Sequence, residues 1–520
     1  MDSRQPTLRA GPATKPARSI RRLLANIHPF LFAIFPIAAL RNHNIVYVEL
    51  AAIGRPLILS LAITAILWLL VETVIRNWER AGLITSLTII LFYSYGHVYF
   101  QIQSLMGEAI SHRYLLAIFM VVFGLLSAMI LRLRDVLGIR QFATVVSTVM
   151  ISFAIAQAAS YDLSTYQANA QADAKHTQIT RLTRPEDKNL LPDIYLIILD
   201  AHTRSDVLRE RYKYDNSYFT HGLTDLGFYV AECSQSNYSK TRYSLPSLLN
   251  ADYLQNFTNM KNMPRLEKST VIQSLRSLGY VTIGFENHVS GHFDLKGDIH
   301  LSRNKLTLGV NLSGGPNEFE SELIQTSLLK LFYDIPQLIP GFDPVTREEA
   351  EWREHYLQTY YIVDELKRIP TIPGPKFVFA HIMVPHPPFI FTPSGEFKWD
   401  ENEITGYRDN VDFIDHQILP AAKAILENSA VPPIIIIQGD HGPLGKSSTP
   451  ELRMTILNVY YVNQEARAAL YNTITPVNSF RIIFNKYFGA NFPLLDDISY
   501  YGNSADDFSP EHIIPNTCKE

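Results

Sequence analysis

Three stretches of this chain end in side chains suited to acid, base or metal chemistry. Asp200 closes the apolar run in "DIYLIILDAHTRSD", His386 stands in "PHPPF" after "KFVFAHIMV", and Asp440 and His441 are adjacent in "PIIIIQGDHGPLG". Carboxylate oxygens and imidazole nitrogens together suit a hard or borderline divalent cation. The glycines around Asp440 and His441 let the backbone turn tightly about a ligand, and burying such a pair without one would be costly. A fourth stretch, "CSQSNYSKTRYSLPSLLN" from Cys233 to Asn250, carries six Ser and Thr hydroxyls. A bound metal lowers the pKa of a hydroxyl enough to make it a nucleophile at neutral pH. Thr241 precedes the apolar spacing Leu245, Leu248, Leu249 of a short helix, whose N-terminus favours a bound anion, and Arg242 adjoins it. Each piece has a plainer alternative. Asp200 also suits a turn or cap, His381 a satisfied core position within its strand, and Ser239, Thr241, Ser244 and Ser247 capping and packing. His202, His288 and His292 are recommended only by proximity in sequence.

The elements that would position these residues read as α/β. The run at 194–199 is continuously apolar rather than alternating, as in a strand buried on both faces of a mostly parallel, helix-covered sheet, and 280–286, 376–384, 433–440 and 456–462 are further strand candidates. Helical patterns at 269–279, 354–369 and 410–428 lie between them, the last interrupted by Pro420. This alternation predicts a doubly wound domain, in which ligands gather at the carboxyl ends of the strands.

Upstream, five apolar stretches at about 23–40, 56–75, 82–100, 114–131 and 142–159 approach the ~20 residues that cross a bilayer. The first is the weakest, interrupted by Asn26, His28, Pro29 and Pro36. Lys15, Arg18, Arg21 and Arg22, then Arg76 and Arg80, then Arg132, Arg134 and Arg140 mark alternate loops as cytoplasmic. The expected order is a cytoplasmic tail (1–22), a five-helix membrane domain (23–159), a juxtamembrane helix and linker (160–189) and an extracytoplasmic α/β domain (190–520) of a multi-pass plasma or inner membrane protein. Cys233 and Cys518 pair or stay free; spacing does not decide. With a net charge of -4, nothing suggests a nucleic-acid partner. The sequons at Asn237, Asn256 and Asn311 carry little weight.

An Asp-ended first strand, a Thr-led helix, a His in a strand-end Pro turn and a late Asp-His-Gly occur in the same order in the alkaline phosphatase/sulfatase superfamily. With its membrane spans the chain resembles the membrane-bound branch, the lipid A phosphoethanolamine transferases and lipoteichoic acid synthase. Thr241, Ser244 and Pro246 match that branch's T-x-x-S-x-P pattern. The resemblance implies that Thr241 is nucleophile and metal ligand, that Asp200, Asp440 and His441 complete a site for one Zn or Mn ion, and that His386 faces the substrate. It implies a phospholipid donor and an envelope glycan or glycolipid acceptor; Arg242, Arg204 and His381 are the chain's own candidates for contacting the transferred group. Departures are present too. Asp200 stands where the branch commonly has Glu, two cysteines cannot reproduce its several disulfides, and the C/S-x-P-x-R pattern of formylglycine sulfatases is missing. Only His512 follows His441, which favours one metal over two. The expected activity is phospho-headgroup transfer; a hydrolase of the same superfamily and an inactive envelope-polysaccharide assembly protein are the alternatives.

Overall fold

The computed structural model describes residues 26–45, 48, 50–106, 111–179, 182, 191–256, 265–286, 294–303, 318–335, 344–446, 448–502 and 512–518. The tail to residue 22, most of the linker after 179, His288, His292 and Asn311 lie outside them. Contacts divide the chain into two compact units, residues 1–160 with 306–344 and residues 161–305 with 345–520.

The first unit opens with α1 (His28–His43), α2 (Gly54–Ile75), α3 (Trp78–Met106), α4 (His112–Arg132) and α5 (Leu137–Ile179). Among the described residues, four helices, α2 to α4 and the Leu137–Ser164 part of α5, are long and apolar enough to cross a membrane. The first of the five expected spans is not among them within the described residues. As a 16-residue helix, α1 is about 24 Å long against a hydrocarbon thickness of about 30 Å, and Pro36 lies inside it. It still packs in this unit, with Phe32 and Ala33 against Ile89. Ile66, Leu70 and Val74 along α2 point outward, an apolar surface that suits lipid rather than water.

Past α5, which runs on through the expected juxtamembrane helix, come β1 (Ile194–Leu199), β2 (Tyr229–Val230), α6 (Thr241–Asn250), α7 (Thr270–Leu278), β3 (Val281–Phe285) and β4 (Ile299–Leu301). The short helices α8 (Glu318–Gln325) and α9 (Lys330–Asp334) follow, then α10 (Pro344–Arg368), β5 (Lys376–Ile382), α11 (Glu403–Asn428), β6 (Ile434–Gln438), α12 (Pro450–Met454), β7 (Asn458–Tyr461) and α13 (Pro476–Tyr487). A single boundary near residue 190 is too simple, because α8 and α9 belong to the first unit. Leu328 N–H donates to Phe92 O at 2.8 Å, His112 Nε2 lies 2.8 Å from Asp334 Oδ2, and Arg55 pairs with Glu320. Gly96 lets α3 approach this segment closely, since a Cβ there would meet Gln325 O at 2.3 Å.

The second unit is built on a mixed seven-stranded sheet in the order β2-β7-β6-β1-β5-β3-β4. Ladders β6-β1, β1-β5, β5-β3 and β3-β4 are parallel, while β7 is antiparallel to both β6 and β2. Side chains alternate across the central strand β1. Ile194, Leu196 and Ile198 pack beneath α6, α7 and α13; Tyr195, Ile197 and Leu199 pack beneath α10 and α11. Both faces are covered, which is why β1 reads as an unbroken apolar run.

Candidate metal centre

Asp200 follows β1, and its N–H donates to Ile382 O at 2.9 Å, so the sheet's own ladder fixes it at the carboxyl end. Ala201 then adopts φ +67°, an uncommon conformation for a side chain with a Cβ, and the chain leaves the sheet abruptly. Its N–H donates to Asp440 Oδ1 at 3.1 Å and its carbonyl accepts from Tyr407 at 2.8 Å. Asp440 sits just past β6, the neighbour of β1, so two adjacent strand ends present the two carboxylates.

The turn after β6 needs its glycines for space. A Cβ on Gly439 would lie 2.2 Å from His202 O, and one on Gly442 would lie 1.9 Å from Leu452 O. Between them, His441 Nδ1–H donates to Gly442 O at 2.9 Å, which leaves Nε2 with its lone pair. Nε2 lies 3.7 Å from Asp200 Oδ1, 3.6 Å from Asp440 Oδ2 and 3.3 Å from Thr241 Oγ1. Both carboxylate oxygens are buried and have no hydrogen-bond partner. Donor separations of this size are those of neighbouring ligands around a cation about 2.0–2.2 Å from each, so the residues fit a divalent metal. Asp200, Asp440 and His441 also form the one group of three or more metal-ligating side chains found among the described residues.

The hydroxyl-rich loop is tied to this turn by its neighbours. Ser236 and Ser244 donate to Asp440 O at 2.5 and 2.6 Å. Thr241 is the first residue of α6, where helix N–H groups and the helix dipole favour negative charge, and Leu245, Leu248 and Leu249 anchor the helix in the core. Thus the serines position and Thr241 faces the donors.

Burial alone would raise the pKa of Asp200. The charges of His386, His381 and His441, with the hydrogen bond from His381 Nε2 to Oδ2 at 3.0 Å, outweigh it and hold the carboxyl well below the usual range. Burial lowers the pKa of His441, the protonation state a metal ligand needs. For His381, burial works against charge, but the Asp200 hydrogen bond prevails and raises its pKa. His381 is buried like the metal-ligand candidates, and its bond to Oδ2 orients the Asp200 carboxylate.

No protein-family model matches the chain, and no curated protein matches it. Among solved structures, the C-terminal periplasmic domain of EcEptC from Escherichia coli aligns at 12% identity and TM-score 0.41, covering 65% of this chain and 96% of that one. A second structure of that domain is a complex with Zn. The integral membrane lipooligosaccharide phosphoethanolamine transferase A from Neisseria meningitidis aligns at 12% identity and TM-score 0.36, covering 88% of this chain and 94% of that one. BT1596, a 2-O GAG sulfatase, aligns at 10% identity and TM-score 0.37, covering 58% and 72%. At such identities and scores these are likenesses only; the reading of the site rests on its geometry.

The remaining site candidates separate. His386 is half-buried after β5, with its charge acting on Asp200 and its Nδ1–H donating to Pro387 O at 2.6 Å. Arg204 is committed elsewhere, bidentate to Asp206 at 2.9 and 2.8 Å. Arg242 lies over the Tyr243 ring, with a buried Nε lacking a partner. Sequence reading passed over Arg453. From α12 its Nη2 donates to Ser239 O at 2.7 Å, two residues before Thr241, while Nη1 is buried without a partner. Burial lowers its pKa against the pull of the Asp440 and Asp200 charges. Its offset from His441 is no known spacing, so only the fold identifies it. His202 belongs to a different pair, fully buried on Asp415 at 2.9 Å. Cys233 and Cys518 form a disulfide, joining residues 285 apart.

Proposed function

We propose that the protein is a metal-dependent transferase that moves a phospholipid-derived phospho-headgroup, of the phosphoethanolamine or phosphoglycerol type, through Thr241 to an envelope glycan or glycolipid. The observation that carries this reading is the convergence of Thr241 Oγ1 and His441 Nε2, 3.3 Å apart, on two buried, unpartnered carboxylate oxygens of Asp200 and Asp440. A hydroxyl aimed at a cation site from a helix N-terminus is the arrangement of an activated nucleophile. Asp200, Asp440, His441 and Thr241 would hold one divalent ion, zinc or manganese. When bound, that ion supplies the positive charge that favours the Thr241 alkoxide and offsets charge on phosphoryl oxygens.

The chain's own groups account for the rest. Thr241 Oγ forms a bond to phosphorus as the bond from phosphorus to the diacylglycerol oxygen breaks. His386 Nε2, the ring nitrogen not engaged by Pro387, carries the Thr241 proton to that leaving oxygen. In the second half the acceptor hydroxyl bonds to phosphorus, its proton returns through His386, and Thr241 is released. The Nη1 of Arg453 and the first N–H groups of α6 donate to the equatorial oxygens in both halves. The four apolar helices among the described residues support a membrane-anchored enzyme, and the distribution of basic residues supports an extracytoplasmic sheet unit.

Release of diacylglycerol from phospholipid vesicles by the purified full chain tests the reading. Release that needs added metal and stops in Thr241→Ala is expected. Unchanged release from the Ala variant would overturn the role of Thr241.

A further inference from the structure

The membrane unit contains a cavity of about 440 Å³ bounded by α2, α3 and α8. Its wall is apolar for most of its length, with Leu59, Ile63, Leu67, Ile89, Phe92 and Ile324. One end differs. There Arg55 and Glu320 form a largely buried ion pair, with Nε to Oε1 at 2.6 Å. Leu59 and Ile63 are 49% and 59% exposed, so the cavity opens sideways along the apolar surface of α2 rather than into a closed core.

Length and polarity together identify an occupant. From Arg55 to Leu67 the lining descends along α2 by about 18 Å, at 1.5 Å per residue. One leaflet offers its chains roughly 15 Å, half of the ~30 Å hydrocarbon thickness. A site with charge at one end, an apolar wall of leaflet depth and lateral access matches a lipid entering from the bilayer. We infer that this cavity binds one acyl chain of a zwitterionic phospholipid, with its phosphate against Arg55 and its ammonium against Glu320. A headgroup carrying both signs complements both members of the pair, whereas an anionic headgroup complements one and repels the other. Because α8 supplies Glu320, Leu323 and Ile324, the site depends on the segment that returns to the membrane helices from beyond β4. As a donor site the cavity rests on the proposed transfer reaction; as a lipid site it rests only on the membrane unit.

The test is photolabelling of the full chain in nanodiscs, using a phosphatidylethanolamine with a diazirine on one acyl chain and mapping the labelled peptides. Label concentrated on α2, α3 and α8, and competed better by unlabelled phosphatidylethanolamine than by phosphatidylglycerol, is the expected result. Leu323→Trp, which fills the cavity, should remove that label. Glu320→Gln, which keeps the shape, should retain the label but weaken the preference for the zwitterionic headgroup by about tenfold, the equivalent of one charge-assisted contact. Label spread evenly over the outward faces of all the apolar helices, or equal competition by the two lipids, would overturn the inference. Thr241→Ala separates the two readings. Cavity labelling that persists there, with no diacylglycerol released by the wild type, would retain the lipid site and remove the transfer reaction.

Discussion

Thr241 draws its importance from what surrounds it, and single substitutions around it should therefore have distinct effects. Asp440→Asn keeps the hydrogen bond to the Ala201 N–H through its side-chain oxygen but removes the carboxylate charge beside His441, so metal content by elemental analysis should fall from about one per chain to a small fraction. Retention of the metal would take Asp440 out of the centre. Arg453→Met should lower kcat by about 10²-fold with metal content unchanged, in keeping with loss of one transition-state donor, and Arg453→Lys should recover part of it. Equal kcat in the Met variant would contradict the contact. Of this centre, the sequence displayed Asp200, Asp440, His441 and Thr241, because metal-ligand types at strand ends and a helix start are visible as patterns. Arg453 was hidden, since the guanidinium reaches the site from α12 across a turn whose path only the fold defines. Arg204 looked equally good in sequence, and only the Asp206 contact shows where its charge goes.

Among the elements, long strands were readable and short ones were not. The runs behind β1, β3, β5 and β6 are largely apolar because helices cover both faces, whereas β2 and β4 have only two and three residues and leave no period to detect. The direction of β7 was also unreadable, since strand composition does not reveal which way a strand runs. The weak first span is where interrupting prolines and polar residues are legible, and there the described residues form a 16-residue helix with Pro36 inside it. One exposed device ties the start of the edge strand β4 to β3: Asp298 Oδ2 accepts from the Thr282 N–H at 2.9 Å and its hydroxyl at 2.7 Å, and Oδ1 accepts from Arg276 at 3.1 Å. Burial alone would raise the pKa of Asp298, but these donors outweigh it and lower it. Its stabilisation is therefore complete above the unfolded value of about 3.9 and is lost as pH falls through the lower folded value. With the side chain 48% exposed, solvent screening keeps the effect small. Asp298→Asn should cost no more than about 1 kcal/mol at neutral pH, and the difference in thermal midpoint should shrink below about pH 4. A difference that grows on acidification would contradict the sign.

At the scale of the whole molecule, hydropathy separated an apolar half from a polar half but could not show that α8 and α9 pack with the membrane helices. That assignment depends on partners distant in sequence, Arg55 with Glu320 and His112 with Asp334. The Cys233–Cys518 bond has the same character, since sequence alone left its pairing open. Replacing both cysteines by Ala should cost about 2–5 kcal/mol, read as a lower thermal midpoint of the full chain, and an unchanged midpoint would show the bond to be dispensable. The central claim is that a covalent phospho-headgroup passes through Thr241. Intact-mass analysis of the full chain after incubation with phospholipid, followed by peptide mapping, tests it most directly. An added mass equal to the phospho-headgroup, located on Thr241 and lost in Thr241→Ala, is the result this mechanism requires. An adduct that persists in the Ala variant, or none on a metal-loaded wild type that releases diacylglycerol, would contradict it.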